Sequence, residues 1–280
     1  MKILVTGAGG QVGRELVDAL SPHDVVACTH EQLDTGDCDA VLGAVTSLHP
    51  DAIAHCAAWT NVDGCESDHD RAFRDNALAS RNVMDAARRV GAYVVALSTD
   101  YVFDGEKDTA YHEWDTPNPQ SVYGESKLAG EFEIDPDCGV VRTSWVCGRH
   151  GSNMVKTILR LASQPGQMRF VSDQRGSPTV VSDLVVALRS FVVDRLPGTW
   201  HVTNQGALTW YEFARVVLTA AGDDPGRVEA IKSDELDPPR PAPRPANSEL
   251  ENRALRLAGR PLLPHYRDSL DALVRDLTSS

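Results

Sequence analysis

The chain has 280 residues and a formal net charge of −13 at pH 7; 42% of its residues are hydrophobic and 24% are charged. This composition is ordinary for a soluble globular protein, and no apolar run approaches the roughly 20 residues that cross a bilayer. The negative charge, which no basic stripe offsets, argues against nucleic acid as a partner. We therefore expect a cytoplasmic protein that binds neither nucleic acid nor membranes.

The cysteines and histidines give no sign of a disulfide framework or a metal centre. Six cysteines include no C-x-x-C pair, and nine histidines include no H-x-x-x-H spacing. Disulfides are untypical of a cytoplasmic chain of this length, and such spacings are the usual mark of a metal site. The sequence therefore predicts neither disulfides nor a bound metal.

Short apolar strands alternate with segments of helical periodicity through the first half of the chain. That order is typical of a parallel sheet with crossover helices. We predict strands at residues 3–6, 25–28, 52–56, 93–97 and 139–142, and helices at residues 11–20, 37–48, 71–90 and 121–133. Such sheets bind ligands at the carboxyl ends of their strands. Segments 7–13, 57–60, 98–102 and 143–145 are therefore expected to converge on one edge.

The pattern loosens after about residue 150. Helices are predicted at residues 154–161, 182–193, 210–221 and 267–277, with a strand at 168–171. Residues 237–245 contain five prolines and are predicted to form either a stiff exposed connector or a rim over a substrate. We expect an α/β fold: a doubly wound parallel sheet of Rossmann type at 1–150, and a smaller substrate-binding region at 151–280. Segments of the second region are expected to return to the first.

A glycine-rich turn joins the first predicted strand to the first predicted helix. It reads Gly7-Ala-Gly-Gly10-Gln11-Val12-Gly13. Glycine permits a tight turn, and backbone N–H groups can then close on a pyrophosphate at the positive end of the helix. With a strand before it and an amphipathic helix after it, the turn predicts dinucleotide binding.

The end of the second strand is expected to choose between NAD and NADP. An acid there binds the ribose 2′-hydroxyl, whereas a cation accepts the 2′-phosphate. This chain has neither a clear acid nor an arginine at that point, but Thr29 and His30 can serve a phosphate. The sequence thus favours NADPH, with NADH as an alternative. Asp34 is interpreted either as a contact to the adenine amino group or as a turn residue.

Tyr123 precedes Lys127 by four residues within the helix predicted at 121–133. This spacing places both side chains on one helix face. An ammonium beside a phenol favours the phenolate, so we expect a lowered pKa for Tyr123 and proton exchange nearer neutral pH. Thr99, at the end of the fourth strand, is expected on the same edge, where its hydroxyl can donate to a carbonyl or bond its own backbone.

Two further residues have a functional and a structural interpretation. Asp100 follows Thr99 and is either part of the site or part of a turn. Trp145 follows the fifth strand, where its indole can stack on a sugar or base or can pack in the core. The residues alone leave both alternatives open.

Longer strings extend these matches along nearly the whole chain. They are Cys56-Ala-Ala-Trp-Thr-Asn-Val-Asp63, Ser98-Thr-Asp-Tyr-Val-Phe-Asp-Gly105, Tyr123-Gly-Glu-Ser-Lys-Leu-Ala-Gly-Glu131, Arg142-Thr-Ser-Trp-Val146, Asp173-Gln-Arg-Gly-Ser-Pro-Thr179 and Arg244-Pro-Ala-Asn-Ser248. Together with the glycine turn they resemble the extended short-chain dehydrogenase/reductase family. Within it, the similarity is to the dTDP-4-dehydrorhamnose reductases.

The resemblance implies an activity and a set of roles. The activity is NAD(P)H-dependent reduction of the C4 ketone of dTDP-4-dehydro-β-L-rhamnose to dTDP-L-rhamnose, a precursor for surface polysaccharide. Tyr123 would then be the general acid, Lys127 would hold the nicotinamide ribose and Thr99 would polarise the ketone. Cofactor binding would also involve Ala57, Ala58 and Thr60. Substrate binding would involve Asp100, Val102, Trp145 and Arg244.

The chain departs from the family pattern at two places. His55-Cys56-Ala57-Ala58 stands where many relatives read Asn-Ala-Ala, so no role is carried over for an asparagine there. Some members dimerise around magnesium held by acidic residues; Glu15 is at one such place, but Ser182 occupies another. We therefore predict no metal, and either a monomer or a homodimer.

Two other functions fit the same motifs. One is a reductase or epimerase of a different nucleotide sugar, which the catalytic residues alone do not separate from the first. The other is a non-catalytic relative such as the regulatory subunit of methionine adenosyltransferase. The intact Thr99, Tyr123 and Lys127 argue against the latter, because a pure binding protein has no use for the proton donor.

Overall fold

The computed structural model describes residues 1–279 and contains a central sheet of parallel strands. The strands of the described chain are β1 (Lys2–Thr6), β2 (Asp24–Cys28), β3 (Ala52–His55), β4 (Tyr93–Thr99), β5 (Gly139–Thr143), β6 (Val146–Cys147), β7 (Met168–Val171), β8 (Arg175–Gly176), β9 (Thr179–Val180), β10 (Gly198–His201), β11 (Leu208–Thr209), β12 (Val228–Ile231) and β13 (Asn247–Ser248). The helices are α1 (Gln11–Ala19), α2 (Cys38–Leu48), α3 (Val62–Ser67), α4 (His69–Phe73), α5 (Ala79–Val90), α6 (Val122–Phe132), α7 (Met154–Ala162), α8 (Val181–Asp194), α9 (Trp210–Ala220), α10 (Arg253–Leu257) and α11 (Tyr266–Thr278).

Six strands form the central sheet in the order β10-β5-β4-β3-β1-β2, and every neighbouring pair is parallel. Strands β3 and β5 are buried along their whole length, as expected for strands covered on both faces. The chain runs outward from β1 to β2 in one direction and from β3 to β10 in the other. Ligands of such sheets bind beyond the strand ends where that direction switches. The predicted Rossmann-type doubly wound α/β class is confirmed.

The sixth strand comes from beyond residue 150. Strand β10 pairs with β5, and helix α8 packs against α1 and against the central strands. A separate cluster of buried apolar side chains joins α7, α9 and α11 to β7, including Ile158, Phe213 and Leu270. The later part of the chain thus contributes both to the first core and to a core of its own. The division at residue 150 stays a prediction.

The helix predicted at 71–90 is not continuous. Helices α4 and α5 are joined by a π-helical turn at Arg74–Leu78. Such turns frequently occur at functional sites. This one presents Asn76, whose amide accepts from the Trp59 backbone N–H (2.8 Å) and donates to the Ser126 hydroxyl (2.9 Å). Asn76 therefore ties the loop after β3 to helix α6.

The proline-rich segment is anchored to the first half of the chain through Ala242 and Pro245. Ala242 and Pro245 are buried, and the Ala242 N–H donates to Asp63 (3.1 Å). Pro245 packs against Gly105, where an added Cβ on the glycine would lie 2.5 Å from the Cβ of Pro245. The remaining prolines of the segment are exposed. Within residues 1–279, no helix combines the length and the apolar character needed to cross a membrane.

Candidate active site

A cavity of about 590 Å³ opens at the carboxyl edge of the central sheet. The ends of β1, β3, β4 and β5 and the first turns of α6 all contribute to its walls, because parallel strands end on the same side. The predicted segments therefore meet. The predicted residues that line it are Gly10, Gln11, Val12, Gly13, Ala58, Thr60, Thr99, Asp100, Tyr123, Lys127 and Trp145.

The glycine turn is held by backbone contacts that no side chain would permit. Gly7 has φ +66°, and a Cβ on it would lie 2.6 Å from the Ala57 nitrogen. A Cβ on Gly13 would lie 2.3 Å from the Gly7 carbonyl oxygen. Gly10 caps α1 without a side chain, so the positive end of the helix faces the cavity. These features fit the pyrophosphate of a dinucleotide.

A second pocket, of about 260 Å³, lies on the other side of the turn. Gly7, Asp34 and Ala57 line it as predicted, together with His30 and Arg71. Gly10, Cys56 and Ala58 line both pockets, so the second adjoins the first along the ends of the parallel strands, where such sheets bind dinucleotides.

Asp34 is a turn residue that also lines the second pocket. One carboxylate oxygen accepts from the Gly36 N–H (2.9 Å), as in a turn, and the other pairs with Arg74. The hydrogen bond from Arg74 is the main reason that the pKa of Asp34 lies below its ordinary value. Asp34 nevertheless lines the adenosine-side pocket. Arg71 was not predicted; its guanidinium lies 4.3 Å from the centre of the Trp59 ring.

Lys127 is buried one helical turn below Tyr123 on α6. Its ammonium donates to the carbonyl oxygen of Leu97 at 2.7 Å, which fixes it beneath the end of β4. Burial lowers the pKa of Lys127 to about 8, and the negative charge of Glu131 opposes that fall. Glu131 in turn accepts from Arg142 (2.6 Å) and Ser98 (2.5 Å). A buried polar network therefore holds the charge beside the cavity.

The pKa of Tyr123 moves in the direction opposite to the prediction. Burial raises it above the ordinary value, while the neighbouring Thr99 hydroxyl, a hydrogen-bond partner, lowers it. The expected lowering of the Tyr123 pKa is wrong for this structure, because the cost of burying a phenolate, added to the nearby Asp100 charge, exceeds the help from the Thr99 hydroxyl. Tyr123 is thus a protonated phenol at neutral pH. It is suited to donate a proton, not to remove one.

Thr99 and Asp100 form a buried pair at the end of β4. The Thr99 hydroxyl donates to the Asp100 carboxylate (3.0 Å) and accepts from the Tyr101 N–H (3.3 Å). Burial raises the pKa of Asp100 to about 6, and its second oxygen has no partner among residues 1–279. Thr99 and Asp100 therefore form the turn after β4 and line the cavity at the same time. In this structure the Thr99 hydroxyl is directed at Asp100.

The predicted substrate residues are placed unevenly. Trp145 lines the cavity with φ +44°, a left-handed conformation that costs a side-chain-bearing residue energy. The Val102 side chain is fully buried beside Phe103 and does not line the cavity. Arg244 lies behind Tyr101, where it forms two hydrogen bonds with Asp63.

Several cavity residues had no predicted role. Trp210 and Gly151, both beyond residue 150, line the cavity. Asn76 holds the loop after β3 through its hydrogen bond with the Trp59 N–H. Their approach depends on how distant segments pack, so no local spacing marks them. The one available signal was that Trp210 directly follows a Thr, which begins a helix well; Thr209 indeed forms a capping box with Glu212.

The residues at the departure from the family pattern are uncharged. His55 Nδ1 is hydrogen-bonded to the Thr6 hydroxyl (2.8 Å), and burial lowers the pKa of His55 to about 3. Burial also raises the pKa of the Cys56 thiol to about 12. Both residues are therefore neutral near pH 7. Within residues 1–279, no three His, Cys, Asp or Glu side chains are grouped as they would be around a metal ion.

Comparison with known proteins identifies the family. Residues 1–279 match the family described as the RmlD substrate binding domain. The dTDP-4-dehydrorhamnose reductase of Mycolicibacterium smegmatis is 41% identical over 98% of this chain and 85% of that protein. A probable dTDP-4,6-dihydroxy-2-methyloxan-3-one 4-ketoreductase of Streptomyces antibioticus is 38% identical over 100% of this chain and 97% of that protein.

A solved structure agrees over the same extent. The crystal structure of dTDP-4-dehydrorhamnose reductase from Bacillus anthracis in complex with NADP has a TM-score of 0.94 and 36% identity, covering 98% of this chain and 99% of that one. The resemblance inferred from the sequence motifs is confirmed. The chain belongs to the RmlD substrate binding domain family.

Proposed function

We propose that this member of the family reduces the C4 ketone of dTDP-4-dehydro-β-L-rhamnose to dTDP-L-rhamnose with NADPH. The observation that carries the proposal is the meeting of Thr99, Tyr123 and Lys127 in one cavity beside a glycine turn. Relatives of nearly full length that are named for this reaction support it.

The residues of the turn fit the proposed cofactor. Glycines that leave no room for a Cβ and an open helix end suit its pyrophosphate, and the pocket with His30 and Arg71 suits its adenosine end. Both of these side chains can carry positive charge, which favours a 2′-phosphate and hence NADPH. The bound cofactor would supply a hydride to the ketone carbon.

The residues of the chain then stabilise the negative charge on the ketone oxygen and protonate that oxygen. Negative charge grows on that oxygen as the ketone is reduced, and donors fixed around it stabilise the transition state more than the ketone. Tyr123, whose pKa is raised by burial, gives its phenolic proton to the oxygen. Thr99 turns its hydroxyl from Asp100 towards the same atom. Lys127, held by Leu97, keeps a positive charge beneath both.

The test is oxidation of NADPH, followed at the absorption band of the reduced nicotinamide. The substrate is dTDP-4-dehydrorhamnose generated in place by the preceding epimerase, and NMR identifies the product. Parallel runs with NADH give the cofactor preference. Formation of dTDP-L-rhamnose supports the proposal; cofactor binding without turnover would refute it and would favour a non-catalytic relative.

A phenylalanine variant tests the role of Tyr123. Loss of a general acid costs roughly 10²–10⁴-fold in rate, so we expect Tyr123→Phe to lose that much kcat with an unchanged dissociation constant for NADPH. Tyr101→Phe is the matched control, because its ring lies in the same cavity, 5.5 Å from that of Tyr123. An active Tyr123→Phe variant would contradict the assignment.

A second substrate deserves a parallel assay. The Streptomyces antibioticus relative is named for reduction of a different dTDP-linked hexulose, at 38% identity over the whole chain. A reductase of another dTDP-deoxyhexulose therefore remains the competing function. Relative kcat/KM values for the two hexuloses decide between them.

A further inference from the structure

Trp145 does not offer an open face to the cavity, because a second tryptophan covers it. The rings of Trp145 and Trp210 are parallel within 5°, and their centroids are 3.4 Å apart. This is full face-to-face contact, which places the second indole over the whole of the first. A sugar cannot stack on that face of Trp145 while Trp210 is there.

Gly176 covers the opposite side of the same indole. A Cβ on Gly176 would lie 2.4 Å from Cε2, 2.5 Å from Nε1 and 2.8 Å from Cζ2 of Trp145. In an approach within the ring plane, the junction atom Cε2 would be farther away than its two outer neighbours. Since Cε2 is the nearest, Gly176 lies over a face. Trp145 is therefore clamped between Gly176 and Trp210.

The position of Trp210 is fixed by a helix cap and by a small sheet that joins distant segments of the chain. It is the first residue of α9, immediately after the capping residue Thr209. Its backbone N–H donates to the Gln174 carbonyl (3.4 Å). Strand β11 places Leu208 opposite Gly176 in an antiparallel pair. One small sheet thus sets both halves of the clamp, and the Phe213 ring meets the Trp210 ring edge-on at 5.8 Å.

Trp210 also faces the cavity. It lines the cavity with Trp145 and is only half-buried. An indole face of this kind packs well against the apolar side of a deoxysugar, while its N–H can donate to a hydroxyl. Stacking is blocked on both faces of Trp145, by Trp210 and Gly176, whereas the stack covers only one face of Trp210.

We infer that Trp210 is a specificity-determining residue that contacts the sugar of the nucleotide-sugar substrate, with Trp145 as the support behind it. This rests on the proposed function, which supplies the deoxysugar. Trp145 still borders the sugar site, but its left-handed backbone and its clamp serve to hold Trp210 in place.

The experiment compares the affinities of Trp210→Leu and the unchanged protein for dTDP-L-rhamnose, for dTDP and for NADPH, by calorimetry. We expect about a tenfold loss for dTDP-L-rhamnose, equal to about 1.4 kcal/mol, and no change for dTDP or NADPH. The KM for the ketosugar should rise in parallel with little change in kcat. Trp210→Phe, which keeps a ring, should recover most of the loss.

Trp114→Leu is the control for removal of a tryptophan, because its side chain is exposed and lies outside the cavity. A direct contact also predicts transferred NOEs from the sugar methyl group to indole protons that disappear in Trp210→Leu. A merely structural role would not give these signals, and their absence from the unchanged protein would overturn the inference.

The two proposals fail separately. Unchanged affinity of Trp210→Leu for dTDP-L-rhamnose would overturn the inference and leave the reductase function standing. Equal affinities of the unchanged protein for dTDP and dTDP-L-rhamnose would also overturn it. A lack of turnover by the unchanged protein, on the other hand, would refute the proposed function, and the binding comparison requires no turnover.

Discussion

The cofactor side and the substrate side of the cavity are built in different ways. On the cofactor side, the glycine turn, the loop after β3 and Lys127 are held by buried backbone contacts and hydrogen bonds at the ends of long strands. On the proposed substrate side, Trp145 and Trp210 are held by two-residue strands and a ring stack, and Arg244, behind Tyr101, forms a partly exposed ion pair with Asp63. Rigid backbone suits a constant ligand. A side-chain assembly lets the same sheet accept different sugars.

The largest expected difference concerns the ion pairs of the two sides. Arg142 and Glu131 are 5% and 7% exposed, whereas Arg244 and Asp63 are 12% and 39% exposed. Removal of one partner from a buried pair leaves an uncompensated charge and costs about 3–5 kcal/mol, against about 0–1 kcal/mol at the surface. Urea unfolding of Glu131→Gln and Asp63→Asn should show this contrast. Equal losses would mean that the two sides are not built differently.

The next prediction concerns the glycine turn. A Cβ at Gly13 would meet backbone atoms of Gly7 and Ala8, which have no rotamer to move. We expect Gly13→Ala to weaken NADPH binding about 100-fold, or roughly 2.7 kcal/mol, as measured by fluorescence titration.

Gly43→Ala is the matched control for the glycine turn. Gly43 lies within α2 with nothing within 4 Å of its Cβ position, and alanine there should leave NADPH binding unchanged and stabilise the helix by up to about 1 kcal/mol. Normal NADPH affinity in Gly13→Ala would show that the cofactor side is as adaptable as the substrate side.

Asp100 lies between the two sides of the cavity, and its buried carboxyl should make the free energy of unfolding depend on pH. The pKa of its carboxyl is raised by burial from 3.8 to about 6. Between these values the folded state holds more protons than the unfolded state, so this group's contribution to stability falls as pH rises from about 4 to 6. At about 1.4 kcal/mol per pKa unit, the loss is complete above pH 6 and amounts to about 2–3 kcal/mol.

The comparison with Asp100→Asn isolates that contribution. Asparagine does not titrate but can still accept from the Thr99 hydroxyl. Free energies of unfolding should therefore shift in favour of the variant as pH rises from 4 to 7, by about 2–3 kcal/mol. All other titrating groups, including His55, are present in both proteins. Parallel pH curves would contradict the assigned pKa.

The contrast between the two sides also explains what the sequence could predict. The glycine turn, Thr99 and the Tyr123–Lys127 spacing are local patterns, and the strand ends that carry them are set by apolar periodicity. Trp210 and Gly176 meet Trp145 only because strands of two residues pair across long separations in sequence, and such strands have no readable period. The direction of the Tyr123 pKa was missed for a related reason: burial is a property of the whole fold, while the lysine beside it is a local one.

The smallest expected effect tests whether the substrate side depends on side-chain geometry. Arg244 holds Asp63 with the two terminal nitrogens of its guanidinium, at 2.6 and 2.9 Å, and one of them also donates to the Ala242 carbonyl. A lysine keeps the charge but cannot form this planar fork. We expect Arg244→Lys to raise the KM for the nucleotide sugar by three- to tenfold, or roughly 1 kcal/mol, with kcat and NADPH affinity unchanged.

Arg240→Lys is the control for an arginine-to-lysine change in the same segment. Arg240 lies in the same proline-rich segment, is exposed, and forms no ion pair within the described residues. If the fork of Arg244 sets the segment against Asp63, only the first substitution will affect KM. No effect of Arg244→Lys would mean that positive charge alone matters there, because lysine keeps it. Weakened NADPH binding in Arg244→Lys would instead couple the two sides, and their separate construction would no longer account for how the site works.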